Sequence, residues 1–328
     1  MDAVIVCMAA LTALLPDRPV FTVQDLADHT GHALTSKTRD RLLVACCEER
    51  RIERIRRGIY ARLPIQSELL TACVAATHLA PDAVIAFGTA LEVLGLGRDR
   101  DRTCTFLTTS ASLQATRWRG ISFRRASHPR ALLDTAATCL ETAIIPAAIG
   151  AGSSIRVTTA ERTFVDLLAR QRLMGEWPPL WATLSVLDQL DLRRVVAYVE
   201  QLDNATVAAK VGWFLERHEQ AWHVDPRVLA QLELMAPRRP LYFERLIRTN
   251  GQHARRWNLM VPATLADLLP VRRLPATTRY SRAARNGARS PAARAVQVFA
   301  AGTGTDGVRR VRRPPHGPTP IHRSNSSA

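Results

Sequence analysis

The chain has 328 residues, 47% of them apolar, enough to bury a sizeable core and to form two domains. Forty-five Lys and Arg oppose 29 Asp and Glu, a formal net charge of +16, which points to a polyanionic partner. No run of apolar residues is long enough for a membrane-spanning helix, and six cysteines at 7, 46, 47, 73, 104 and 139 form no C-x-x-C pair, so neither zinc-site nor disulfide-framework spacing is present.

MDAVIVCMAALTALLP, Met1–Pro16, reads as a buried helix ending at Pro16; Asp2 stands where a signal peptide carries basic residues. In VFTVQDLADHTG, Thr22 is placed to cap a short helix running to His29, and Gly31 to end it. In LTSKTRDRLLVACCEERR, Thr35 or Ser36 is placed to cap a helix whose apolar stripe is Leu42, Leu43, Cys46 and Cys47. RRIERIRRGIYARLP, Arg50–Pro64, then holds six Arg and one Glu. It reads as two short strands meeting at Arg57-Gly58, and because Ile52 and Ile55 are three apart, a bulge is needed to place both inside. Three helices followed by a basic hairpin is the order of a winged helix-turn-helix, in which the third helix enters the major groove and the hairpin lies along the phosphates. A solvated basic hairpin without a ligand is the other reading.

From residue 65 to 269 the pattern is mixed α+β and ends in helices. SELLTACVAATHLAP reads as a helix, and RTCTFLTTS and RGISFRRAS read as strands able to pair. In SSIRVTTAERTFVDLLAR, Ser154–Val157 reads as a strand. Thr158 and Glu161 then read as a capping box, with Phe164, Val165, Leu167 and Leu168 as a buried face. DLRRVVAYVEQLD and ATVAAKVGWFLERHE are amphipathic, and ARRWNLMVP reads as a basic strand. Residues 270–328 are rich in Arg, Pro, Ala, Gly and Ser. Twelve Arg against one Asp give them a balance of +11, and they read as a disordered tail with nonspecific nucleic-acid affinity. The same composition also arises when GC-rich DNA is translated out of frame.

No P-loop, dinucleotide-binding or G-x-S-x-G motif occurs, and Lys210 has no carboxylate near it in sequence. Glu161 and Asp166 are five apart and diverge on a helix. Arg162, a charge among apolar residues, calls for an internal partner. His218 and His223 form a weak pair of the kind met on helix surfaces. These residues predict no enzyme, no cofactor and no metal.

Taken together, VFTVQDL, RRIERIRRGIYARLP, AVIAFGTALEVLGL, IRVTTAERTFVDLLAR, DLRRVVAYVEQ and RWNLMVP resemble, in order, the AbiEi-type antitoxins and antitoxin-like regulators of type IV (abortive infection) toxin–antitoxin systems. The resemblance implies a winged helix-turn-helix at 1–64 that binds and represses its own promoter. It further implies a mixed α+β antitoxin domain at 65–269 and a cytoplasmic protein whose partners are double-stranded DNA, with inverted repeats, and a nucleotidyltransferase-like toxin. A stand-alone winged-helix transcriptional regulator with a sensing or partner-binding second domain is the alternative. On either reading Ser36, Lys37, Thr38, Arg39 and Arg41 form the groove-facing end of the third helix, with Arg39 and Arg41 reaching guanine edges. Arg51, Arg54, Arg56 and Arg57 contact phosphates.

Overall fold

Thr22 ends one element and begins the next. Strand β1 (Val20–Thr22) runs into helix α1 (Val23–His29). The Asp25 N–H donates to the Thr22 hydroxyl at 3.0 Å, while the Thr22 N–H donates to the Asp25 carboxylate at 2.7 Å, closing a capping box. Gly31, at φ +58°, turns the chain out of α1. Thr35 rather than Ser36 caps α2 (Ser36–Glu48), whose buried stripe is Leu42, Leu43 and Cys46. The hairpin is β2 (Ile52–Arg56) and β3 (Ile59–Arg62), and β3 lies between β1 and β2 in an antiparallel sheet.

The register of β2 shifts between Arg54 and Arg56, so Ile55 is the extra residue of the expected bulge. Both isoleucines are buried, but in different cores. Ile52 joins Phe21, Leu26, Leu42 and Leu43 under the helices. Ile55 joins Val20, Ile59 and Ala61 against α3 (Glu68–Leu79). The expectation of a single inner face therefore fails: this small sheet is covered on both sides. Ala72, Ala75 and Ala76 of α3 keep the second contact close.

The structure, a computed structural model, describes residues 13–97, 102–111, 114–133, 141–147, 153–173, 176–244 and 251–268. Most of the expected first helix, residues 1–12, and the expected tail, 270–328, lie outside the described residues. The architecture is mixed α+β, with eleven α-helices and three sheets among the described residues. No helix among them is long and apolar enough to cross a membrane.

The second sheet has six strands. They are β4 (Val84–Ile85), β5 (Thr103–Leu107), β6 (Thr116–Trp118), β7 (Ile121–Ala126), β8 (Thr142–Pro146) and β9 (Ser154–Thr158), in the order β6-β7-β5-β4-β9-β8. The two strand-like runs expected to pair are β5 and β7, and they pair in parallel, Thr103 opposite Ser122. Helix α4 (Phe87–Val93) bridges β4 toward β5.

Helix α5 (Ala160–Ala169) follows β9 and is buried from Glu161 through Leu168. Its cap is Thr159, not Thr158, whose hydroxyl lies 2.7 Å from that of Thr163 inside the core. Glu161 does not close a capping box either. Its carboxylate accepts from the Asp191 N–H at the start of α7 (Leu192–Leu202), so it supports a neighbouring helix instead of its own.

Around α5 pack α6 (Trp177–Ser185), α7, α8 (Ala205–Arg217), α9 (Glu219–Trp222) and α10 (Pro226–Leu234). His218 is buried here, not on a surface; its Nδ1–H donates to the Phe214 carbonyl at 2.8 Å, and its Nε2 lies 2.9 Å from the Ser185 hydroxyl. The third sheet is β10 (Leu241–Tyr242), β11 (Gly251–Ala254) and β12 (Leu259–Pro262), followed by α11 (Ala263–Ala266). The expected basic strand is only half a strand: Arg255–Trp257 forms a 3-10 turn, which Asn258 ends at φ +44°. Trp257 packs against Gly212 of α8. A Cβ at Gly212 would sit 2.1 Å from the indole ring, and Glu216, one turn on, accepts the indole N–H at 2.8 Å.

Candidate nucleic-acid interface

At 100° per residue, Lys37, Arg41, Val44 and Glu48 fall on one stripe of α2, with Asp40 beside them. All five are exposed and line one shallow groove together with Ser36 and Ala45. The first turn of α2 carries no acidic residue. A cation there opposes the positive end of the helix dipole, so Lys37 sharpens a positive potential that helix stability does not favour.

The five helix residues singled out in the sequence do not all share that stripe. Lys37 and Arg41 do, and Ser36 lines the groove beside them. Thr38 is exposed, but its hydroxyl lies 2.8 Å from that of the cap, Thr35. Arg39 is corrected: it sits on the side of Leu42 and Cys46, half-buried, and its guanidinium turns back to donate to the Leu34 carbonyl at 3.0 Å. Val44 was missed. It is 57% exposed, and its spacing of three from Arg41 and seven from Lys37 is the signal that places it on the groove.

On the hairpin, Arg54 and Arg57 are exposed. Arg51 is half-buried with Nε 3.8 Å from Glu49, and Arg56 donates to the Gln114 side chain at 2.9 Å. These two are therefore partly engaged in holding the hairpin. Lys37, Arg41, Arg54 and Arg57 make no hydrogen bond or ion pair among the described residues.

Glu53 is the one acid of the hairpin, and it is neutralised from outside. Arg119, in the β6–β7 turn at φ +47°, donates to it through Nε and Nη2 at 2.8 and 2.6 Å. The same guanidinium reaches Glu68 at 3.2 Å, and Arg102 also pairs with Glu68. The Glu53 hydrogen bonds hold the Arg119 pKa above its usual value. This bridge braces the hairpin against the six-stranded sheet and leaves Arg54 and Arg57 unopposed.

Several polar residues of the larger part are buried. Arg162 has the internal partner it calls for: Nε lies 3.4 Å from Asp166, and the Tyr198 hydroxyl donates to the same carboxylate at 3.0 Å. Burial pushes the Asp166 carboxyl up, against the pull of Arg162 and Arg170. His128 is buried, and neither ring nitrogen has a hydrogen-bond partner. Burial first, then the Arg162 charge, lowers its pKa to about 4. Among the described residues no group of three His, Cys, Asp or Glu is placed to hold a metal.

No protein-family model matches the chain, and no curated protein matches it. Among solved structures, the fold is similar to the crystal structure of the RV2827C protein from Mycobacterium tuberculosis, with a TM-score of 0.50 and 17% sequence identity over 77% of this chain and 89% of that one. At that identity the likeness is one of fold.

Proposed function

We propose that the N-terminal elements form a winged helix-turn-helix that binds duplex DNA, with α2 in the major groove and the β2–β3 hairpin along the backbone. The observation that carries the reading is the set of four unpaired exposed cations, Lys37, Arg41, Arg54 and Arg57, beside a hairpin acid already neutralised by Arg119. Lys37 and Arg41 fit guanine O6 and N7, Asp40 fits the cytosine amino group, and Val44 fits a thymine methyl. Arg54 and Arg57 fit phosphates. The resemblance to AbiEi-type regulators supports the rest: repression of the protein's own promoter, and neutralisation of a nucleotidyltransferase-like toxin by the larger part.

Two measurements test this. A gel shift with the DNA upstream of the gene, against scrambled competitor, should show a specific complex; equal affinity for both duplexes contradicts operator recognition. Co-expression with the adjacent gene tests the antitoxin role. Because the core of α3 continues into the hairpin sheet, Lys37→Ala/Arg41→Ala is preferable to deleting residues 1–64. The variant should lose repression and still rescue growth, whereas no rescue by the wild type contradicts the antitoxin role. One observation favours the alternative, a regulator with a sensing second part: a cavity of about 860 Å³ between α5, α8 and β10.

A further inference from the structure

Helix α3 packs against β1 and β3 of the hairpin sheet and also against β5, β7 and β9 of the six-stranded sheet. One helix therefore backs both sheets. The sheets also meet edge to edge: β2 and β6 are each the last strand of their sheet, and they run beside each other. Two side-chain contacts fasten that seam. Arg119 holds Glu53 at one end, and Arg56 donates to Gln114 at 2.9 Å at the other.

This arrangement fixes the side that each arginine faces. In β2, Ile52 packs in the core under α2, so Arg54, two residues on, shares its side. Arg54 stands opposite Tyr60, which packs against the same core. In β6, Trp118 is buried in the core that α3 shares with Ile121 and Phe123 of β7. Arg117, paired with Ser122, therefore points away from α3, and so does Arg124. Because α3 backs both sheets, their outer sides are continuous, and α2, Arg54 and Arg117 look out the same way.

Arg117 is exposed and makes no hydrogen bond or ion pair among the described residues. Farther along, Arg124 donates to the Leu173 carbonyl at 2.9 Å, which brings the 3-10 turn Gln171–Leu173 against β7. Arg172 in that turn is exposed and equally unpaired among the described residues. Neither β6, β7 nor this turn contains an Asp or Glu. Gln114, level with the hairpin, and Arg117 are separated by at most about 11 Å of extended chain. A DNA strand sets one phosphate about every 3.4 Å along the axis, so Arg117 lies roughly three phosphates beyond the hairpin.

We propose that the DNA backbone held by the hairpin continues across β6, where Arg117 and then Arg172 each neutralise a phosphate. The larger part then supplies a second stretch of the DNA interface, and the bound duplex extends past the winged helix. This inference rests on the DNA-binding reading above and extends it.

The salt dependence of binding by the full-length protein tests it, with the upstream duplex and a scrambled duplex as probes. Arg117→Ala/Arg172→Ala should make the slope of log K against log salt shallower by about two on both duplexes, because phosphate contacts carry no sequence information. Arg117→Lys keeps the charge and should keep the wild-type slope. Both arginines are exposed, so an unchanged melting temperature should accompany these effects. Arg227→Ala, at an exposed position of α10 off this track, should leave the slope unchanged. If Arg54→Ala/Arg57→Ala flattens the slope and Arg117→Ala/Arg172→Ala does not, the inference falls and the winged-helix reading stands. An equal flattening by Arg227→Ala assigns the effect to the general basicity of the chain and also overturns the inference. Wild-type protein that binds neither duplex overturns both.

Discussion

The N-terminal unit sets its cations in water, and the larger part also encloses an ion pair and a histidine. Arg54, Arg57, Lys37 and Arg41 face water without partners, whereas Arg162, Asp166 and His128 are each at most 4% exposed. The same residue types thus serve opposite ends. An exposed, unpaired guanidinium keeps its field available for a partner, while a buried one must spend it on a carboxylate at hand. Substitutions at the two kinds of position should consequently fail in different ways: stability at the enclosed charges, affinity at the open ones.

The largest effect is expected at the buried pair. Asp166→Ala leaves Arg162 charged and enclosed, and should cost roughly 3–5 kcal/mol in chemical denaturation. The double variant Arg162→Met/Asp166→Leu should be clearly more stable than Asp166→Ala alone; equal losses would mean that the pair's charge is immaterial. Gly212→Ala comes next. The new Cβ would meet the Trp257 ring at 2.1 Å, and since that ring is enclosed, a loss of about 3 kcal/mol is expected. A neutral outcome would show that β12 and its turn can shift off α8.

His128 sharpens the comparison by pH. Its folded pKa, about 4, lies below the unfolded value near 6.5, so the unfolded chain takes up the proton first. Stability is fully present above pH 6.5 and is lost as pH falls toward 4, by up to roughly 3 kcal/mol from this group. His128→Leu should flatten that part of the pH–stability profile; an unaltered slope would assign the loss to other groups. In the smaller unit, Arg41→Ala should cost about 1–3 kcal/mol of DNA affinity at one base pair with no change in melting temperature. A drop in melting temperature with affinity intact would place Arg41 among the structural residues.

Local signals in the sequence located most of the elements. The Thr22 cap, the Gly31 stop, the bulge at Ile55 and the apolar face of α5 each depend on residues within one turn or one strand, and periodicity reports those directly. What escaped it are pairings between distant stretches. Gly212 looks like a helix weakness until Trp257 is laid over it. Glu53 looks like a defect in a basic hairpin until Arg119, 66 positions on, is seen to neutralise it. Arg39 fits a recognition face by composition, but its position on the wheel faces Cys46. The cavity between α5, α8 and β10 draws on separate stretches between residues 169 and 244, and no single one of them carries a motif.

The central claim is that exposed hairpin arginines grip phosphates. It is tested most directly by the salt dependence of binding to the upstream duplex, wild type against Arg54→Ala/Arg57→Ala. Each phosphate contact releases counterions, so the slope of log K against log salt should become shallower by about two. An unchanged slope, with affinity intact, would contradict the account.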